Sequence, residues 1–346
     1  MQAWFLNLQS NPSGRLFFQD RIFECSAQVR KISGLEDPLL GIFTRKYGRD
    51  VVNQYYLGQH AYVELLVRES ASANFDEIIY GDLEAAFDGV AEDYDRHIFG
   101  NPINTWLRNV SVAVMKGIFK SGETVLEIGC GSGTETLSLA RLGVKVIATD
   151  ISRKMIDVLN SKARQAGLSE SVVGIWSRPI DLREKMAKLG LEQVDGAYST
   201  YGAINTEPRL AETIKILHGL LKENAPLILG VWNKYCLYEI LGYSIKLRPA
   251  LAFARLRNPV QVGKSRFCVA TNAFSVGSLG QVVNPYFDLK KVYGVVITLP
   301  PSNLTRYLPR GRAFELLKSV DLNIGRSFPM NRLGDHFLGV YTRRKD

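Results

Sequence analysis

Cysteine is scarce in this chain: four among 346 residues, at positions 25, 130, 236 and 268, with no CxxC pair and no histidine cluster nearby. That spread excludes a disulfide framework and a structural zinc site, and it fits a reducing compartment. Histidine is equally rare at four, so no metal-ligand set is visible and no metal is expected. No window approaches the roughly 18 consecutive apolar residues of a spanning helix. The opening MQAWFLNLQS has no basic lead and only the short apolar run AWFL, so it reads as no secretory signal. A cytoplasmic protein is expected. There is no internal repeat, no low-complexity tract and no run of five like charges. What remains is ordinary globular composition, 46% hydrophobic and 22% charged, ample for a sizeable core. The net charge of +9 suits either plain solubility or an anionic partner: nucleic acid, a membrane surface or an acidic small molecule.

The length exceeds the roughly 100–200 residues of one usual domain, and the pattern changes along it. Residues 1–80 form an extension without clear strand–helix alternation; within it AYVELLVRE (Ala61–Glu69) reads as a helix and ASANFD as a linker. Over 81–235 the elements alternate. ETVLEIG, VKVIATD, SVVGIW, VDGAYST and APLILGVW read as strands, separated by helices such as SRKMIDVLNSKARQAG, with Ser152 as N-cap and Gly167 as stop. Such alternation demands a parallel sheet covered by helices on both faces, with ligands at the carboxyl ends of its strands. Residues 236–275 interpose the apolar-basic stretch LYEILGYSIKLRPALAFARLRNPV. The core pattern returns over 276–346, with a helix at SVGSLGQVVNP, a strand at FDLKKVYGVVITL, a second insert near 297–333 and a last strand at HFLGVYTRR.

The chemistry is concentrated in VLEIGCGSGTET, residues 125–136. Glycines at 129, 131 and 133 follow a strand and precede a helix, where a missing Cβ permits a tight turn and close approach of a ligand to the backbone. The dinucleotide fingerprint GxGxxG fails because Thr134 stands at its last position. The phosphate loop GxxxxGK[ST] fails too: GKS occurs at 263–265, but Asn258 stands where the first glycine belongs. An acid followed by GxGxG remains: Glu127, Gly129, Gly131 and Gly133. Asp150 ends the next strand, 17 residues after Gly133. An acid at that tip is placed to accept hydrogen bonds from ribose hydroxyls; the other reading is a cap for the helix beginning SRKMID.

EIGCGSG matches without a gap the first motif of the class I S-adenosylmethionine-dependent methyltransferases, and the chain resembles that family over about 85–235 and more weakly over 276–345. The resemblance implies an α/β, doubly wound, mostly parallel seven-stranded sheet, with the extension and lid insertions added to it. It implies S-adenosyl-L-methionine as cofactor and S-adenosyl-L-homocysteine as product. The site residues it implies are Glu127, Gly129, Cys130, Gly131 and Gly133 in the loop, and Asp150 on the ribose. Ile151 and Met155 would cover the adenine, with Asp181 and Leu182 as its acidic pair-site. Ser199 would meet the methionine half, and Tyr94, in AEDYDRH, would lean over the cofactor as a lid.

Methyl transfer from a sulfonium is an in-line displacement that needs orientation and a dry cavity, with a base only where the acceptor keeps its proton. TYGAINTE (200–207) follows the fourth strand, and Tyr201, Asn205 and Glu207 are candidates to bind or deprotonate the acceptor. GDHF adds Asp335 beside His336, a side-chain type suited to proton transfer. His60, His97 and His218 are weaker candidates. The Asn/Asp-Pro-Pro-Tyr signature of exocyclic-amine methylation is absent; YSTYGA stands there. The two inserts, apolar and basic, suggest an acceptor that is a small metabolite, lipid-like or carrier-bound; peripheral membrane contact through the inserts and a homodimer are both allowed. RNA or protein methylation is the alternative, although the basic residues are mixed with Leu and Ala rather than with the aromatics that nucleic acid asks for. A non-catalytic, cofactor-binding partner subunit is a second alternative.

Overall fold

The computed structural model describes residues 13–18, 21–31, 61–69, 75–256, 260–264 and 267–345. The chain divides into two compact units, Met1–Ile78 and Ile79–Asp346. In the first, β1 (Ser13–Phe18), β2 (Arg21–Lys31) and β3 (Ala61–Glu69) pair antiparallel in that order. The helix expected at AYVELLVRE is therefore a strand. Its apolar spacing satisfies either period, but Tyr62, Val63 and Val67 are aromatic or β-branched, and β2 offers a nine-residue register from Phe23 to Lys31. Most of the linker read at ASANFD lies outside the described residues, and its Phe75 already opens a helix.

The second unit is built on a seven-stranded sheet. Helices α1 (Phe75–Asp88), α2 (Tyr94–Phe99) and α3 (Pro102–Lys116) lead into β4 (Thr124–Ile128), α4 (Thr134–Ala140), β5 (Lys145–Asp150), α5 (Arg153–Gln165) and β6 (Val172–Trp176). The chain then returns through α6 (Leu182–Lys188), β7 (Gly196–Ser199), α7 (Leu210–Leu220) and β8 (Pro226–Trp232). The first insertion holds α8 (Leu237–Ile245), α9 (Pro249–Ala252) and the hairpin β9 (Val260–Lys264)–β10 (Phe267–Thr271). The end of the chain adds α10 (Val276–Val283), β11 (Phe287–Val295), α11 (Arg312–Ile324) and β12 (His336–Arg343).

The strand order is β11-β12-β8-β7-β4-β5-β6. The pairs β4–β5, β5–β6, β4–β7 and β7–β8 are parallel, and β12 runs antiparallel to both neighbours. Side chains alternate across a strand, so Val125 and Leu126 enter different apolar clusters, as do Val146 and Ile147. Both faces of the sheet are thereby covered, which is why these strands read as continuous apolar runs. The order reverses between β4 and β7. Ligands of open α/β sheets bind at such a switch point. Among the described residues no helix is long and apolar enough to cross a membrane.

Candidate active site

The glycine loop folds back over the end of β5. Gly129 N and Cys130 N both donate to Thr149 O, at 2.8 and 2.9 Å. All three glycines have positive φ, and two leave no room for a side chain. A Cβ on Gly129 would lie 2.3 Å from the Ala203 Cβ, and one on Gly133 would lie 2.1 Å from Leu159 Cδ1. At Gly131 the nearest atom is the Tyr94 ring, 3.4 Å from the would-be Cβ, so that ring lies over the loop. Lys162 Nζ donates to Ser132 O at 3.0 Å and pairs with Asp95, and the Ser132 hydroxyl donates to the same Asp95.

Above the loop is a cleft partly open to solvent. Its floor is Gly129, Cys130 and Gly131, and the tips of the parallel strands supply Ile128, Thr149, Asp150 and Thr200. Asp150 is 7% exposed. Its Oδ2 accepts from Gly131 N and its Oδ1 from Ser152 N, both at 2.8 Å, leaving one lone pair on each oxygen. Burial pushes this carboxyl up to about 6 against those two hydrogen bonds. The cap read as the other role of Asp150 belongs to Ser152, whose Oγ accepts from Met155 N at 3.1 Å.

Arg108, from the buried face of α3, also lines the cleft and forms an ion pair with Glu135 in the first turn of α4. Both side chains are nine-tenths buried or more. Burial opposes the charge on Arg108, and Glu135 more than restores it, so the guanidinium stays protonated. Among the described residues, Arg108 Nε and Glu135 Oε1 have no hydrogen-bond partner. The Tyr201 ring lies 4.4 Å from the guanidinium carbon. Tyr201 has φ 57, left-handed for a residue with a side chain. Burial first, then Tyr94, holds its hydroxyl well above the usual phenol range. It stays a neutral donor and is no anionic base.

The residues read from the sequence separate into two groups. Gly129, Cys130, Gly131, Asp150, Ile151, Met155, Tyr94 and Tyr201 line the cleft, and so does Glu207. The others lie behind its wall. Glu127 is buried under the loop, accepts from Tyr198 Oη at 2.8 Å and from Thr136, and burial raises it to about 8. Gly133 packs on Leu159. Asp181 is turned to Arg178, whose Nε donates to it at 2.7 Å, and Leu182 is fully buried in the core. Ser177 and Pro179 occupy the wall where that pair was expected. Ser199 is directed inward and donates to Ile128 O at 2.9 Å; the next residue, Thr200, reaches the cleft.

Asn205, a candidate to bind the acceptor, is fully buried. Its amide donates to Trp232 O at 3.1 Å and Asn272 O at 2.5 Å, and its carbonyl accepts from Trp232 N at 2.9 Å. It ties three loops together. His336 also stands behind the wall: its ring is stacked on Tyr201 with centroids 6.0 Å apart and 16° between planes. Nδ1 lies 2.9 Å from Asp335 Oδ2. Burial would raise Asp335, but Arg255 and His336 override it and hold the carboxyl below the usual range. Sequence reasoning missed Arg108 and Glu135. The signal was a lone arginine on the apolar face of PINTWLRNVSVAVMK, beside the buried Ile103, Leu107, Val110 and Ser111.

An open, doubly wound sheet with a GxGxG loop, an acid at the second strand tip and a cleft over the switch point defines a nucleoside-binding α/β protein. Residues 125–224 match the family model described as a methyltransferase domain. Similar stretches occur in the cypemycin N-terminal methyltransferase of a Streptomyces species, 46% identical over 12% of this chain and 17% of that one. They occur also in the demethylmenaquinone methyltransferase of Tropheryma whipplei, 29% identical over 27% of this chain and 40% of that one. The matches thus span less than half the length of these relatives. Among solved structures, the CcbJ methyltransferase of Streptomyces caelestis shares the fold at 15% identity and TM-score 0.50, over 75% of this chain and 98% of that one. Residues 125–224 thus carry a methyltransferase domain, set in a sheet that shares the fold of known methyltransferases.

Proposed function

We propose that this chain transfers a methyl group from S-adenosyl-L-methionine to a small-molecule acceptor held in the same cleft. The carrying observation is that one cleft is lined by the Arg108–Glu135 ion pair, which keeps an unpartnered atom on each side chain, and by the Asp150 carboxylate. An amino-acid zwitterion brings a carboxylate for Arg108 Nε and an ammonium for Glu135 Oε1. A ribose brings two hydroxyls that donate to Asp150. Both polar ends of the cofactor would thus find partners among the lining residues, with Ile151 and Met155 as apolar cover and the Tyr94 ring over the loop, and this supports the reading.

When bound, the cofactor supplies a methyl group on a sulfonium, already activated for displacement. The residues here orient the reactants and exclude water. On the acceptor side, Leu83, Phe87 and Ile204 give the cleft an apolar wall. Glu207 adds a carboxylate that accepts from Tyr80 Oη and from Arg209 N at 3.0 Å; burial pushes it above the ordinary carboxylate range, which suits proton acceptance. In this reading Tyr201 donates to the acceptor, and His336, held by Asp335, positions the Tyr201 ring.

Calorimetry with two ligands tests the assignment. Replacing Arg108 and Glu135 together by Met removes both charges, which a core tolerates better than losing one. The double variant is expected to bind S-adenosylhomocysteine at least about tenfold more weakly, yet to bind methylthioadenosine, which has no amino-acid end, as the parent does. Equal loss for both ligands, or for neither, would reject the zwitterion site.

A further inference from the structure

Helix α8 and the turn beyond it leave apolar side chains in solvent. Leu241 and Ile245 are one turn apart on one face, followed by Leu247, Leu251 and Phe253, all exposed; Ile245 is 81% and Leu247 88% accessible. Leu247 has φ 53, a helix-ending conformation that glycine takes without strain, and the turn is closed by Leu247 N to Ser244 O and Arg248 N to Tyr243 O, each 2.9 Å. The opposite side of the insertion cannot rotate to bury these groups. Arg255, itself buried, donates to Glu239 of α8 at 2.7 Å, to Asn233 O at 3.0 Å and to Asp335 O at 3.1 Å, and pairs with the Asp335 carboxylate.

Cations surround the exposed leucines. Lys246 and Arg248 flank Leu247, Lys246 Nζ lies 2.7 Å from Tyr307 Oη, and the Arg306 guanidinium sits 4.8 Å from the same ring. A two-fold contact between copies would set this positive patch against itself. Nucleic acid would ask for stacking aromatics at the tip, where the two most exposed side chains are the aliphatic Ile245 and Leu247. An anionic bilayer takes both parts: apolar tips enter the headgroup boundary and cations meet the lipid charge.

We propose that the α8–α9 face is a docking surface for an anionic lipid membrane, with Ile245 and Leu247 as its inserted tip. It does not depend on which acceptor the cleft takes. Flotation of the full chain with vesicles of equimolar phosphatidylcholine and phosphatidylglycerol, and with phosphatidylcholine alone, tests it. The parent is expected to float with the anionic vesicles only, less so at high salt. The neutral double variant Ile245→Ser/Leu247→Ser is expected to lower binding about tenfold with S-adenosylhomocysteine affinity unchanged, and Arg248→Glu to lower it by a similar factor. Unchanged flotation of the serine variant would mean diffuse attraction of a basic protein and would overturn the proposal. So would failure of the parent to float, or a dimer in sedimentation that the serine variant dissolves.

Discussion

Asp150 is the residue at which affinity and folding respond to acid in opposite directions. Its folded carboxyl titrates near 6 because burial outweighs two backbone hydrogen bonds. An acid whose folded value is raised contributes stability that is present below its unfolded value and lost as pH rises through the folded one. Ribose hydroxyls, however, need the ionised form as acceptor. Affinity for S-adenosylhomocysteine is therefore expected to fall as pH drops through about 6, while this residue's contribution to the stability of the unliganded protein grows over the same interval. Asp150→Asn is expected to weaken binding about tenfold at neutral pH and to flatten the dependence. Calorimetric titrations across that interval check it; an unchanged affinity in the variant would remove Asp150 from the ribose site.

At the scale of elements, two glycines at helix ends differ in kind. Gly133 begins α4 with φ 83, and a methyl there would overlap Leu159, which is fully buried beneath it. Gly167, past the end of α5, has φ 69 with nothing within 4 Å. Alanine at 167 meets conformational strain alone, about 1 kcal/mol. Alanine at 133 adds the displacement of a core side chain, for about 3 kcal/mol together. Thermal unfolding should rank Gly133→Ala well below Gly167→Ala; equal losses would mean that Leu159 gives way freely. The same elements show what a sequence discloses. Strand, loop and helix over 124–165 are legible because apolar period, glycine spacing and the Ser152 cap agree within a few residues of one another. Asn205 and Ser199 are polar residues beside the cleft whose direction is set by partners distant in sequence, Asn272 and Trp232 for the first and Ile128 for the second. No local pattern encodes that. Arg108 was legible only as an anomaly, a charge on an apolar helix face, because its partner Glu135 lies 27 positions away. β3 is not legible as a strand, because a nine-residue pattern takes its period from the neighbour it pairs with.

For the whole molecule, the first insertion is joined to the sheet through one buried guanidinium. Arg255 sits between Glu239 of α8 and Asp335 at the entrance to β12, and its carbon lies 4.5 Å from the Trp232 ring at the end of β8. One side chain thus connects the face with the exposed leucines to the residue that holds His336, and through it Tyr201 in the cleft. Removing it leaves two buried carboxylates facing each other, a loss of about 3–5 kcal/mol. The sign of the pH response identifies the cause. With Arg255 present, Asp335 lies below its unfolded value and contributes stability that is complete above about 4 and is lost only as pH falls towards its folded value. In Arg255→Met the guanidinium no longer offsets burial and Glu239 is left facing Asp335, so both push this carboxyl up and its ionisation becomes a cost that grows as pH rises. The gap in Tm between parent and Arg255→Met is therefore expected to widen from about pH 4 to about pH 7. Adding Glu239→Gln and Asp335→Asn to the variant removes both stranded charges and is expected to recover most of the loss. A gap independent of pH, or a triple variant no more stable than the single one, would show that Arg255 acts through packing on Trp232 and not as the ion joining insertion to sheet.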